Sequence, residues 1–385
     1  MWKAVPWCDH LTRHISISIS IIASKSRQFF EQIDLIRSQL HVQISLLAPM
    51  KKMNIGINGF GRIGRTLFRL LDRHPNLQVV AINDLADART LGHLLKYDSI
   101  HGVFDAEISH SENSVTVNGF NIHISNHSSP KDIDWSSNNV DIVVECSGKF
   151  KSKEFLQHHL KNGAKKVILS VPPLEDDIKM VVMGINEFAI EAGDNIISNA
   201  SCTTNNAAPM IKVVDELCGI EQAYITTIHS YTSDQSLHDR PHHDLRRARA
   251  AAQSIVPTTT GAAKALTKIF PHLADVIGGC GIRVPVPNGS LTDITFNVKT
   301  ETTIEEINAI FKKSSHNELK NILLYTEDPI VSIDINNSCY SCTFDSQMTS
   351  VIGKMVKIIG WYDNETGYSS RIVDLINLLI RKGYV

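Results

Sequence analysis

The chain has 385 residues, with 38 Lys and Arg against 40 Asp and Glu and a formal net charge of −2, a balance that offers nucleic acid no basic surface. Seven cysteines, an odd number without disulfide-framework spacing, point to a reducing compartment and away from a structural zinc site. No apolar run approaches the roughly 20 residues of a membrane span, so the composition suits a cytoplasmic globular protein with no metal.

Residues 1–52 fit the plan of the rest least well. Residues 15–22 alternate Ile and Ser as a strand does, yet Met50 and Met53 stand directly before the first strongly patterned segment. We read 1–52 as an N-terminal extension, either a start assigned too far upstream or a poorly ordered tail. The rival reading is a transit peptide, since the first thirty residues hold one Asp and no Glu beside Lys3, Arg13, Lys25 and Arg27. Removing 52 residues from 385 leaves 333, enough for two domains of ordinary size.

Met53-Asn54-Ile55-Gly56-Ile57-Asn58 reads as a short apolar strand, and Gly59, Gly61 and Gly64 follow it in the spacing G-x-G-x-x-G before a helix over 62–72. In that context the glycines give a tight turn, close approach of the backbone to a pyrophosphate, and close packing of helix on strand. A second strand, Leu77 to Asn83, ends at Asp84, about twenty residues on, where a carboxylate bonds the adenine-ribose hydroxyls and repels the extra phosphate of NADP. NAD is therefore the expected cofactor. Further apolar strands at Val140 to Gly148 and Lys165 to Ser170 continue an alternation that predicts a doubly wound, mostly parallel sheet.

Ser198-Asn199-Ala200-Ser201-Cys202-Thr203-Thr204-Asn205-Asn206 then leads into an amphipathic run ending near Leu217. Thr203, Thr204 and Asn205 are capping residue types, so Cys202 falls at or just before a helix N-terminus. Unpaired N–H groups and the helix dipole there favour a thiolate, the reactive form. A cysteine is also by default a buried structural residue, and the segment alone leaves both readings open. His229, at the end of a β-rich run over 222–229, is the candidate general base, although seventeen histidines make identity alone uninformative. After Cys202 longer β-rich runs at 222–229, 290–299 and 356–362, with a helix from Thr303 to Ser314, give the α+β pattern of a second domain with a mixed sheet.

These segments, together with His229-Ser230-Tyr231-Thr232, Asp244-Leu245-Arg246-Arg247-Ala248-Arg249, Pro257-Thr258-Thr259-Thr260-Gly261-Ala262-Ala263-Lys264, Arg283-Val284-Pro285 and Trp361-Tyr362-Asp363-Asn364-Glu365-Thr366-Gly367-Tyr368, closely resemble phosphorylating glyceraldehyde-3-phosphate dehydrogenase from Met53 to Val385. The resemblance implies a Rossmann-type NAD-binding domain over 53–201, a catalytic domain over 202–363, and a last helix within 364–385 that returns to the nucleotide domain. It implies Cys202 as nucleophile and His229 as base. Gly59, Gly61, Arg62, Ile63, Gly64, Asp84, Ser147, Asn364 and Tyr368 would hold NAD. Thr232 and Arg283 would hold the phosphate of glyceraldehyde 3-phosphate, and Ser201, Thr203, Thr260, Gly261 and Arg247 the attacking inorganic phosphate. At least one of Arg246, Arg247 and Arg249 reads instead as a solvated or subunit-contact residue.

The family assembles as a homotetramer in which the loop 231–255 lies near a neighbour's cofactor, and Leu85 and Pro241 match its NAD-selective members. Ser128 stands where relatives often have an arginine against the adenine. Two other readings compete: erythrose-4-phosphate dehydrogenase, which hydrolyses its thioester and generally loses the Thr-Gly-Ala-Ala pattern present here at 260–263, and a non-catalytic binding protein on the same scaffold.

Overall fold

The computed structural model describes residues 52–385, so the reading of the N-terminal extension lies outside the described residues. Two sheets organise them. The first has nine strands in the order Lys179–Met180, Ile196–Ser198, Lys166–Leu169, Ile142–Glu145, Met53–Asn58, Leu77–Asn83, Phe120–Ser125, Ser114–Val117 and Ile108–His110. All neighbours from Lys179–Met180 to Phe120–Ser125 are parallel, and the last two strands run antiparallel at the edge. This is the expected doubly wound architecture. Its central strands read as unbroken apolar runs because helices cover both faces, and Ile55, Ile57, Ile142, Val143, Val144, Val167 and Ile168 are all fully buried.

The second sheet has eight strands, ordered Val256–Thr258, Ile277–Val284, Ile220–Ser230, Ser290–Val298, Met355–Tyr362, Cys342–Asp345 and Leu323–Thr326, with Ser350–Ile352 paired to Met355–Tyr362. It is mixed: Ile220–Ser230 runs parallel to Ile277–Val284 and antiparallel to Ser290–Val298. Helix Cys202–Cys218 packs against this sheet and against helices Ala262–Ile269 and Ile304–His316. Ala207, Ala208, Met210, Ile211, Val213 and Val214 are buried along it, and at Gly360 a Cβ would lie 2.6 Å from both Met210 Sδ and Cys342 Sγ, so the strand beneath the helix has room only for glycine.

The helix over Ile304–His316 starts on a capping box, Thr303 Oγ1 accepting from Glu306 N and the Glu306 carboxylate from Thr303 N. The last helix, Thr366–Arg381, packs on helix Arg62–Leu71, as the resemblance implied. The contact is fixed by a buried ion cluster. Arg62 donates to Asp98 (2.5 and 3.1 Å) and to Glu365 (2.9 and 2.5 Å), and His101 Nε2 lies 2.7 Å from Glu365. Burial works against the charged form of His101, yet Glu365 and Asp363 raise its pKa above the ordinary imidazole value.

Candidate active site

Asn58 stands in register with Asn83 on one side and Glu145 on the other, and Glu145 with Leu169. The loops that leave these strand ends therefore open side by side on one crevice, where ligands of open α/β sheets bind. Gly59, at φ +90°, lies so close to the neighbouring loop that a Cβ would sit 2.5 Å from Ser147 N, and a Cβ on Gly64 would sit 2.3 Å from Gly59 O. At Gly61 a Cβ would meet no atom within 4 Å. Two glycines close the turn and the third leaves space before the helix start.

Helix Arg62–Leu71 has no side-chain cap, so its first N–H groups are available to an anion. Asp84 accepts from Phe60 N (2.7 Å) and Ala86 N (3.1 Å), and lines a cavity of about 250 Å³ with Gly59, Gly61, Leu85 and Ser128. Uncapped N–H groups, open space at Gly61 and a carboxylate one strand away suit a dinucleotide. Arg62 enters this site by its backbone only, its guanidinium being held by Asp98 and Glu365.

These contacts make a paired expectation. Gly59→Ala should cost about 2–4 kcal/mol of stability from positive φ and overpacking together, read as a lower denaturation midpoint. Gly61→Ala should leave that midpoint unchanged and weaken only dinucleotide binding. Equal stability loss in both variants would contradict the geometry.

Glu145 is fully buried and all its contacts come from donors: Asn58 Nδ2 (2.5 Å), Ser147 N (2.8 Å), Ser147 Oγ (2.5 Å) and His159 Nε2 (3.1 Å). His159 Nδ1 in turn accepts from Trp135 Nε1 at 3.0 Å, which fixes the imidazole proton on Nε2. This relay holds the Ser147 loop against the glycine turn. Sequence reasoning did not find it, although an acid inside the apolar strand Ile142–Glu145 was a visible signal.

Cys202 is the first residue of its helix, and Ser201 is the cap, its hydroxyl accepting from Thr204 N at 3.1 Å. The capping role expected of Thr203, Thr204 or Asn205 thus belongs to the residue before the cysteine. Ala200 precedes it at φ +54°, a left-handed conformation unusual for a non-glycine residue. Buried Tyr368 donates to Ala200 O at 3.3 Å and holds the bend.

Cys202 Sγ lies 3.4 Å from His229 Nε2. His229 is presented by the strand Ile220–Ser230, where its register partner on Ile277–Val284 is Arg283. Arg283 Nη1 is 2.6 Å from His229 Nδ1 and donates to Ser230 O at 2.9 Å, while Nδ1 itself is 2.7 Å from Ser230 O. A guanidinium only donates, so its contact with Nδ1 requires the proton on Nε2. The other tautomer donates from Nδ1 to Ser230 O and leaves Nε2 to accept from the thiol. Tyr362 meets the His229 ring edge-on at 5.8 Å and joins Thr203 and Thr227 through its hydroxyl.

The electrostatics differ from the sequence expectation. Burial pushes the Cys202 thiol up, against the opposing pull of Arg283 and the donors of Thr203. Burial, then Arg283, lowers His229 to about 3. The helix N-terminus does not by itself overcome desolvation, and burial favours the uncharged form of each partner.

Around the pair lies a cavity of about 730 Å³ that brings together Ser147, Ser201, Cys202, Thr203, His229, Arg247, Thr260, Gly261 and Arg283. A contiguous cavity of about 430 Å³ adds Gly61, Arg62, Ile63, Thr232, Asn364 and Tyr368. Asn364 Oδ1 accepts from Ser230 Oγ and Ser290 Oγ, both at 2.9 Å, which turns its amide donors to other partners. Thr260 Oγ1 accepts from Ala262 N (3.2 Å) at the start of helix Ala262–Ile269. Arg247 donates to Thr258 Oγ1, to Thr259 O and to the Asp234 carboxylate.

Comparison with known proteins gives the same picture. The family model described as glyceraldehyde 3-phosphate dehydrogenase, NAD binding domain, matches residues 53–153, and its C-terminal domain counterpart matches residues 201–364. The glyceraldehyde-3-phosphate dehydrogenase of Geobacillus stearothermophilus is 51% identical over 333 residues, covering 86% of this chain and 99% of the relative. Glyceraldehyde-3-phosphate dehydrogenase 2 of Streptomyces avermitilis is 53% identical over 326 residues, 84% of this chain and 97% of the relative, and the Thermotoga maritima enzyme is 49% identical over 330 residues, 85% and 99%. The chain belongs to the glyceraldehyde-3-phosphate dehydrogenase family.

Proposed function

We propose that this protein oxidises D-glyceraldehyde 3-phosphate with NAD and incorporates inorganic phosphate, giving 1,3-bisphosphoglycerate. The observation that carries the reading is the 3.4 Å approach of Cys202 Sγ to His229 Nε2 inside a cavity that also gathers arginine, hydroxyl and helix-start donors for two anions.

The residues act as follows. Arg283 and Thr232 bind the substrate phosphate. With Arg283 engaged by that anion, the tautomer that donates from Nδ1 to Ser230 O is the one that serves: its unprotonated Nε2 takes the thiol proton as the Sγ–carbon bond forms. That proton passes to the substrate oxygen to give a thiohemiacetal, with Cys202 N–H at the helix start stabilising the oxygen meanwhile. The nicotinamide, when bound through Gly59, Gly61, Ile63, Gly64, Asp84, Ser147, Asn364 and Tyr368, supplies the hydride acceptor.

As hydride leaves the substrate carbon, His229 takes the hydroxyl proton and a thioester remains on Cys202. Phosphate held by Ser201, Thr203, Thr260, Gly261 and Arg247 attacks the thioester carbon. The Sγ–carbon bond breaks, and the thiolate recovers the proton from His229.

NADH formation from glyceraldehyde 3-phosphate with and without inorganic phosphate tests the reading. Thr260→Ala should raise the phosphate requirement more than it changes the initial hydride-transfer burst. Arg283→Ala should raise KM for the aldehyde phosphate, by a loss on the order of 1.5–3 kcal/mol for a charge-assisted bond shielded from water. Turnover independent of phosphate, with erythrose 4-phosphate the better substrate, would replace the phosphorylating assignment by the hydrolytic one.

We further propose a domain division at 53–201 with 364–385 and 202–363, and a homotetramer. Leu237, Leu245 and Ile255 are exposed on the loop 231–255, and burial against a neighbouring copy would account for them. No helix among the described residues is long and apolar enough to cross a membrane; the free thiols of the described cysteines support a cytoplasmic location.

A further inference from the structure

The attacking-phosphate site proposed above has one arginine, and that arginine is already engaged. Arg247 Nη1 is 2.9 Å from Asp234 and its Nε 3.6 Å from Asp244, with its remaining donors on Thr258 and Thr259. A guanidinium neutralised by a carboxylate attracts a second anion weakly, because the ligand meets the field of the pair and not of the cation. Arg283, the other arginine of the cavity, is assigned to the substrate phosphate. The thioester must nevertheless be attacked by an anion in a place that already holds another phosphate, and like charges so close repel.

Lys151 can supply the missing positive charge. It stands four residues after Ser147, just before helix Lys153–Lys161, and is half-buried, lining the larger cavity together with Thr258, Thr259, Thr260 and Gly261. It does not line the contiguous cavity that holds Thr232, Asn364 and Tyr368. Lys153, two residues on, is paired with Asp177. Among the described residues Lys151 has no carboxylate within ion-pair distance, so its ammonium is available to a ligand.

We infer that Lys151 is a further phosphate-binding residue, which adds a cation to the cavity that Arg247 and Thr260 also line. The inference rests on the phosphorylating reading. A flexible ammonium serves this purpose well, since it can follow the phosphate from free anion to acyl phosphate without a fixed hydrogen-bond geometry.

The test is steady-state kinetics of Lys151→Gln and Lys151→Arg in the full chain, varying phosphate, aldehyde phosphate and NAD in turn. Lys151→Gln should raise KM for phosphate by roughly three- to tenfold, the scale of one partly screened charge contact, leaving the pre-steady-state burst and the other two KM values unchanged. Lys151→Arg should restore most of the difference, and high salt should erase it. In parallel, inorganic phosphate should slow alkylation of Cys202 in the wild-type protein at lower concentrations than in Lys151→Gln. An unchanged phosphate KM, or a rise in KM for NAD or aldehyde phosphate instead, overturns the assignment of Lys151 alone. Wild-type turnover that ignores phosphate overturns the phosphorylating reading and this inference with it.

Discussion

The Cys202→Ser variant is expected to lose at least about 10⁴-fold in turnover, because a serine hydroxyl at neutral pH is a far weaker nucleophile than a cysteine that can shed its proton to a neighbour. The site makes this loss hard to recover. His229 Nε2 is placed for a sulfur at 3.4 Å, and the shorter Cβ–O bond of serine would leave the oxygen farther from base and substrate alike. NAD binding should survive, since the glycine turn and Asp84 owe nothing to the thiol. Steady-state NADH formation and NAD titration of the purified variant measure both parts. Substantial residual activity would remove Cys202 from the nucleophile role.

His229→Asn should lower turnover by roughly 10²–10⁴-fold, the usual effect of losing a positioned acid–base group. The pH profile gives the more particular expectation. With its pKa lowered to about 3 by burial and by Arg283, the wild-type imidazole is unprotonated over the whole working range, so the base is present on both sides of neutrality. Burial has also raised the thiol. In the variant nothing takes the thiol proton, and its rate should climb with pH until the thiol ionises unaided, well above where the wild type has levelled off. Matching profiles for the two proteins would show that another group activates Cys202.

Much of this was legible from residues close together in sequence. The turn at Gly59, Gly61 and Gly64 announces itself because the backbone shape needed there is a local property, and the structure gives each glycine a distinct job within six residues. Cys202 before an apolar run marked a helix start, and the helix does begin at Cys202. What local pattern could not decide was which of several adjacent capping types would cap, and Ser201 did.

Register was equally hidden. His229 and Arg283 are 54 residues apart, and only the parallel pairing of their strands sets one guanidinium against one imidazole. The Trp135, His159 and Glu145 relay depends on three separate elements meeting in the core. Most instructive is the thiol: the helix dipole could be read from the order of residues, but the opposing desolvation exists only once the surrounding chain has closed over it.

The return of helix Thr366–Arg381 to the first helix has a consequence for how the protein is made. Arg62 is synthesised near the beginning of the described residues and Glu365, which grips it, 303 residues later. The nucleotide-binding half therefore emerges with its first helix lacking that packing partner and with only Asp98, of the two acids that hold Arg62, in place. That contact must wait until the whole chain has been made. Nascent chains stalled shortly before residue 365 should bind chaperones through this helix, whereas the full-length chain released from the ribosome should not.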